Sequence, residues 1–502
     1  MPVECSPRPD WYYWCEPDMD WCRENAEQPG LRFEPLRGRL AVFYHVSHVP
    51  TLPDETQRAH NLIEQADRST HMFPFEGSGL LRGYQQTDLE FLKRRRGALL
   101  AYEMRLGKTP LACHLHDPAE GLLVVCGPLA AREAWREWIE RTTGAPPYLL
   151  YGRKDADPAP GYGAYFVHYE VLDAHTPFLI LQRIGTLVLD EFHLLQSRGT
   201  QKSSAVNALL PRASKILGLT GTPCWNKPKS LWNLLHTLTP GAWGTQFEFR
   251  KRYAGATPGA HGWLYDGISN AEELQARLAT IMVRRTWQEV VPELPPTTRV
   301  IEPVELSGAA YTAIEAATMK VALARGTVTQ AGYLATLRRK LAECKIQPAR
   351  DIAMQAMADG HKPVLWVWHN EVGDTLATSF PSNVHVLRLR AADPAPKREQ
   401  ILALFRAHTA GRCVLIAGMG VAGVALDLSC SDYAIFVELD WTPAVVYQAE
   451  MRTFHVSRPH VVVYLHADDP VETALVDALD LKNSFAAAIG LATADIIGKV
   501  LG

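Results

Sequence analysis

Residues 97–109 read GALLAYEMRLGKT, and this stretch decides how the rest of the chain is read. The apolar run 98–101 has the pattern of a strand buried on both faces, and Pro110 with the residues to 113 opens a helix. The loop closed by Gly107, Lys108 and Thr109 therefore lies between a strand end and a helix N-terminus. There, unpaired backbone N–H groups and the positive end of the helix dipole favour an anion. In such a loop Arg105, Leu106 and Gly107 surround phosphate, Lys108 neutralises the β- and γ-phosphates, and Thr109 offers its hydroxyl to Mg2+. The tripeptide alone is weak, because the first glycine of G-x-x-x-x-G-K-[ST] is Tyr102 here and Arg105 takes another tight position. The reading depends on partners elsewhere in the chain.

At 502 residues the chain exceeds the roughly 250–300 at which single cores stop growing, so two or three domains are expected. A net charge of -3 gives no global basic signature, so any nucleic-acid contact must come from local patches. Nine scattered cysteines, an odd number, argue against a disulfide framework and for a reducing compartment. No basic-then-apolar leader opens the chain, and the apolar stretch 485–501 contains Asp495 and Lys499, so it reads as a packed tail helix. An intracellular protein, cytoplasmic or nucleoid-associated and without a membrane segment, is expected.

Residues 1–79 are the least readable. The aromatic cluster Trp11, Tyr12, Tyr13, Trp14 and Trp21 reads as the filling of a small core, run 40–46 as a strand and 53–67 as a helix. Cys15, Cys22, His45 and His48 lack the C-x2-C spacing of a structural zinc site. Next, Leu81 to Gln85 opens a helix that ends in the basic run 93–96. Gln85, just upstream of a phosphate loop, can read an adenine edge, since its amide both donates and accepts. The basic run reads most simply as a solvated helix end, with contact to nucleic-acid phosphates as the alternative.

Beyond the loop, runs 122–126, 165–168, 186–189 and 215–219 read as buried strands, 132–142 as an amphipathic helix with Trp135 and Trp138, and 144–163 as a surface loop. Strands alternating with helices indicate α/β architecture with a parallel sheet covered on both sides. Run 187–189 leads into Asp190, Glu191, Phe192 and His193, placing two carboxylates at the C-terminal edge of a sheet strand, where ligands of open α/β sheets bind. Asp190 is expected to hold Mg2+, Glu191 to orient and deprotonate the attacking water, and His193 to couple this site to the next motif. That motif, Thr220-Gly221-Thr222-Pro223, carries small hydroxyl residues beside the γ-phosphate position, where Thr220 and Thr222 can report its presence.

Gln85, GKT at 107–109, DEFH at 190–193 and TGTP at 220–223, in this order, resemble the first motor lobe of superfamily-two helicase-like ATPases, the Swi/Snf family in particular. Residues 265–296, YDGISNAEELQARLATIMVRRTWQEVVPELPP, look like its annealing-helicase, fork-remodelling branch. Further on, KPVLWVWHNE, VLIAGMGVAGVALDLS and FVELDWTPAVVYQAEMRTFHVSR resemble the second lobe. Gly423 and Leu426 match its strand-turn motif, and Gln448 and Arg452 match the motif that reaches ATP. The chain departs from the family at Tyr102, Arg105, Ala425, Met451 and His455, the last standing where a second arginine is usual.

The resemblance implies two RecA-like P-loop NTPase lobes with parallel sheets, spanning 80–297 with a helical insertion and 298–485. An N-terminal accessory region, 1–79, and a tail helix, 486–502, complete the chain. It also implies ATP and Mg2+ as cofactors and Arg452 as the lobe-two arginine, with His455 or Arg458 in place of the second. The function implied is that of a monomeric ATP-dependent DNA translocase or remodeller on duplex or forked DNA, without sequence specificity, annealing strands. A strand-separating helicase and a DNA-binding module with a decayed ATPase are the alternatives. A metabolic P-loop enzyme has no need of Gln85, TGTP and a second lobe.

Overall fold

The computed structural model describes residues 3–5, 11–15, 31–36, 39–45, 47, 57, 81–150, 152–153, 163–221, 228–259, 262–265, 267–291, 295–306, 308–323, 330–408, 411–421, 426–455, 457–469 and 472–473. They divide into two compact units, with the boundary between Val290 and Val291.

The first unit begins with four antiparallel strands, β1 (Val3–Cys5), β2 (Trp11–Cys15), β3 (Arg32–Leu36) and β4 (Arg39–His45), ordered β1-β2-β4-β3. The run expected at 40–46 is thus β4, and four of the five clustered aromatics lie on β2. Trp21 and, apart from the helical Gln57, the helix expected at 53–67 lie outside the described residues.

The main sheet of this unit is built from β5 (Gly97–Tyr102), β6 (Leu122–Gly127), β7 (Tyr148–Leu150), β8 (Ala164–His168), β9 (Ile184–Leu189), β10 (Ala213–Leu219) and β13 (Met282–Arg285). Its order is β13-β5-β10-β9-β6-β8-β7 and every pairing is parallel. All six residues of β5 and of β9 are buried, as strands covered by helices on both faces require. Because the strands run the same way, their C-terminal ends share one edge, where the candidate residues lie. A short hairpin, β11 (Thr257–Gly259) with β12 (Gly262–Leu264), is separate from this sheet.

Two expectations change here. The segment read as a loop at 144–163 contains β7, whose three residues are too few for periodicity to register but pair with β8 at the sheet edge. The basic run is not a solvated helix end: the helix stops at Lys93, Arg95 donates to the carbonyls of Phe91 and Thr280, and Arg96 to those of Leu210 and Ala213. These arginines satisfy carbonyls at the ends of helices and at the start of β10.

The second unit has six strands: β14 (Thr297–Val304), β15 (Pro363–Val367), β16 (His385–Leu389), β17 (Cys413–Gly418), β18 (Tyr433–Phe436) and β19 (His460–Ala467). They form one parallel sheet ordered β14-β19-β18-β15-β17-β16. The apolar run at 362–368 is β15, buried throughout. The expected tail helix at 486–502 lies outside the described residues. No described helix is long and apolar enough to cross a membrane.

Candidate functional site

β5 carries its burial through Tyr102, whose hydroxyl donates to Asp88 at 2.7 Å, so the position where a phosphate loop ordinarily has its first glycine extends the strand instead. The loop then turns through two left-handed residues, Arg105 at φ 67° and Gly107 at φ 82°. Glycine is required at 107 on two counts, since the backbone is left-handed and a Cβ there would come within 2.5 Å of Gln85 Nε2.

Gln85 lies beneath this turn. Its Nε2 donates to Gly107 O at 2.9 Å and Leu106 O at 3.3 Å, its Oε1 accepts from Arg82 N at 2.8 Å, and Tyr84 OH donates to Leu106 O at 2.7 Å. Both ends of the Gln85 amide thus bond protein groups, and through them the residue braces the loop. Gly107 is also the N-cap of the helix Lys108–Leu115, and no side chain caps that end.

Lys108 Nζ folds back onto the carbonyls of Tyr102 at 3.1 Å and Glu103 at 3.3 Å. It lies against Gly221, where a Cβ would stand 3.2 Å from Nζ, so the 107–109 and 220–223 motifs meet at this ammonium group. Thr109 is half-buried beside it in sequence, and Thr220 is buried with its N–H donating to Leu100 O at 3.1 Å. Thr222 lies outside the described residues.

Asp190 follows β9 directly. Its Oδ2 accepts from Trp135 Nε1 at 2.8 Å and its Oδ1 from the Glu191 N–H at 2.9 Å, while Tyr169 OH donates to the Asp190 carbonyl at 2.8 Å. Burial, and then the charge of Glu191, push the Asp190 carboxyl up to about 6, against the pull of Trp135, the Glu191 N–H and Lys108. Glu191 is left-handed at φ 46°. Its Oε2 stands 3.4 Å from His193 Nδ1, and both atoms are buried without a hydrogen-bond partner among the described residues. Phe192 of the same motif packs where a Cβ on Gly218 would come within 2.7 Å of its ring, so β10 passes close beneath the turn. Neither Trp135 nor Tyr169 was singled out from sequence as a site residue, because nothing in a helix pattern marks which indole reaches a carboxylate.

In the second unit, Gln448 is buried on the helix Pro443–Thr453, and Arg452 on the same helix is half-buried with Nη1 3.4 Å from Leu426 O. Gly423 lies outside the described residues. His455 Nδ1 accepts from Ser457 N at 3.2 Å, and Arg458 donates to the Ser429 carbonyl. Glu450, which the sequence reading passed over, is buried between Arg299 and the Tyr464 hydroxyl, anchoring this helix to β14 and β19.

A family model for the SNF2-related domain matches residues 21–349, and one for the helicase conserved C-terminal domain matches 345–457. The DNA annealing helicase and endonuclease ZRANB3 of Mus musculus is 27% identical over 438 residues, covering 82% of this chain and 40% of that protein. The SWI/SNF-related matrix-associated actin-dependent regulator of chromatin subfamily A-like protein 1 of Xenopus tropicalis is 27% identical over 396 residues, covering 76% of this chain and 42% of that protein. The chain thus spans about two fifths of the length of these curated relatives. Among solved structures, the Sulfolobus solfataricus SWI2/SNF2 ATPase core in complex with dsDNA matches 83% of this chain and 96% of that one, at 20% identity and a TM-score of 0.40.

Proposed function

The chain belongs to the SNF2-related family, and from that premise we propose that it is a monomeric ATP-dependent DNA translocase of Swi/Snf type. It hydrolyses ATP to move along duplex or forked DNA without reading sequence, and it anneals strands, as the name of one relative, the DNA annealing helicase and endonuclease ZRANB3, describes. The observation that carries the reading is the meeting of Lys108 Nζ, Gly221 and the Asp190-Glu191 pair at one edge of a parallel sheet.

The residues present fit Mg2+-nucleotide. Mg2+ takes one or two protein oxygens together with substrate phosphates and water, and here a carboxyl raised by burial and then by a neighbouring like charge stands beside a buried Glu191 Oε2 that has no hydrogen-bond partner among the described residues. Thr109 and Asp190 would hold the ion, which when bound neutralises charge developing on the phosphates. Lys108 leaves its two carbonyls for phosphate, with Arg105, Leu106 and Gly107 around it. Glu191 accepts the proton of the attacking water, and His193, Thr220 and Thr222 relay γ-phosphate occupancy. Arg452 is the arginine that the second unit supplies, on a helix shared with Gln448, and Gly423 and His455 belong to the same group. We take 80–297 and 298–485 as the two motor lobes.

The test is ATP hydrolysis by the purified chain without DNA and with single-stranded, duplex and forked DNA, at several salt concentrations. Duplex or forked DNA should raise turnover severalfold, and the rise should fall steeply with salt because the contacts are to phosphates. An activity indifferent to every DNA form overturns the translocase reading. Joining of a partly melted plasmid, in the presence of a single-strand binder, then separates annealing from unwinding.

A further inference from the structure

The phosphate loop is tied to a segment that lies far away in sequence and closes the first unit. Glu103 N donates to Arg285 O at 2.9 Å, Glu103 Oε2 accepts from Trp287 N at 2.7 Å, and Trp287 Nε1 donates to Met104 O at 3.0 Å. Beside these, Asp88 accepts from Tyr102 OH at 2.7 Å and from both Arg285 Nε and Nη2, at 2.8 and 2.6 Å. Glu103, Met104 and Trp287 are each at most 8% exposed, so water does not compete for these groups.

The position of the brace gives it work to do. Glu103 and Met104 are the two residues between the end of β5 and Arg105, where the chain turns left-handed. A non-glycine residue persists in that region only where its surroundings over-determine it. Met104 also packs against the next motif, since a Cβ on Gly221 would stand 2.9 Å from its Cγ. At the other end, Trp287 stands three residues before Val290, after which the chain passes into the second unit. The one segment therefore both sets the exit of the phosphate loop and begins the connection to the second unit.

We propose that Glu103 and Trp287 are positioning residues that couple the phosphate loop to the connection between the two units. The loop is ready for phosphate while the brace is closed, and phosphate in the loop in turn holds 285–291 in place, as reciprocity of coupled equilibria demands. This rests on the reading of 97–109 as the nucleotide site.

The experiment uses the full chain and its variants Trp287→Phe, Glu103→Ala and Glu103→Gln. It reads nucleotide affinity, KM against kcat, and amide exchange with and without a non-hydrolysable ATP analogue. Trp287→Phe keeps the ring but loses the donor to Met104, and Glu103→Ala loses the acceptor. Trp287→Phe should weaken analogue binding about three- to tenfold, the range for one buried neutral hydrogen bond, and Glu103→Ala about tenfold or more, since the bond it removes is to a carboxylate, with KM moving more than kcat in both. Glu103→Gln retains an acceptor oxygen for Trp287 N and should stay close to wild type. In the wild type the analogue should slow exchange across 285–291, and in Glu103→Ala that slowing should vanish while exchange in β19 stays unchanged. If the analogue protects the phosphate loop and leaves 285–291 as before, the coupling is overturned. If it protects neither, the nucleotide-site reading fails and the coupling falls with it.

Discussion

Trp135 Nε1 donates to Asp190 Oδ2 at 2.8 Å, from the helix Arg132–Thr143 to a carboxylate 55 residues further along the chain. The indole N–H favours the ionised carboxyl, opposing burial and the neighbouring Glu191. Hydrogen bonds to charged groups contribute about 1.5–3 kcal/mol, so Trp135→Phe should lower turnover by about tenfold or more and raise the Mg2+ concentration needed for half-maximal rate. A Mg2+ titration of ATPase activity checks this, and an unchanged half-saturation would remove Asp190 from the ion's ligands.

The raised carboxyl also has a signature in stability. Asp190 titrates at about 6 in the fold against 3.8 for an ordinary aspartate. A group whose folded pKa is raised contributes stability that is fully present below the unfolded value and is lost as pH rises through the folded one. The nucleotide-free chain is therefore destabilised by its own site above pH 6, on the order of 3 kcal/mol. Asp190→Asn abolishes the titration, so its Tm relative to wild type should climb between pH 4 and 7 and then level off. A difference that does not vary with pH would show that Asp190 does not titrate there.

Lys108 and Glu191 should fail in different ways. Lys108→Ala should abolish nucleotide binding, whereas Glu191→Gln should bind normally and stop hydrolysing, because an amide can hydrogen-bond water but cannot take its proton. Equilibrium binding of a labelled ATP analogue to both, beside turnover, decides it. Near wild-type turnover by Glu191→Gln would assign the base elsewhere.

Arg452 and His455 lie three residues apart, and His455 Nδ1 accepts the Ser457 N–H, which leaves Nε2 as the ring's donor. A neutral imidazole lacks the permanent charge and planar fork of arginine. Arg452→Ala should thus lose far more turnover than His455→Ala, and His455→Arg should raise DNA-stimulated turnover severalfold. The three kcat values at saturating ATP and DNA test the asymmetry, which equal losses for the two alanine variants would sink.

What could be read in advance follows from how each feature is encoded. Strands at 98–101, 122–126, 165–168, 186–189, 215–219 and 362–368 were legible because strands of a parallel sheet covered on both faces are unbroken apolar runs. Lys108, Asp190 and Glu191 could be picked out as candidates because the chemistry proposed for them is written in adjacent residues. The bonds Trp135–Asp190 and Trp287–Glu103 were not legible, since they join positions 55 and 184 residues apart and leave no periodic trace. Arg95 and Arg96 misled for the same reason: a basic run looks solvated until the carbonyls it caps, from Thr280 and Leu210 among others, are brought to it by the fold.

The place of β5 in its sheet has a consequence for how the protein is made. It lies between β13 and β10, and both neighbours follow it in the chain. A ribosome therefore releases the strand bearing the phosphate loop with neither flank available, and Glu103 waits 184 residues for Trp287. At about 5–20 residues per second that interval lasts roughly ten to forty seconds, during which an apolar strand, open on both edges until β10 is made and on the β13 edge thereafter, is exposed to chaperones and to other nascent chains. Ribosome-bound chains stalled before residue 282 should retain a chaperone and hold no nucleotide, whereas chains with all of 1–291 outside the exit tunnel should shed the one and acquire the other.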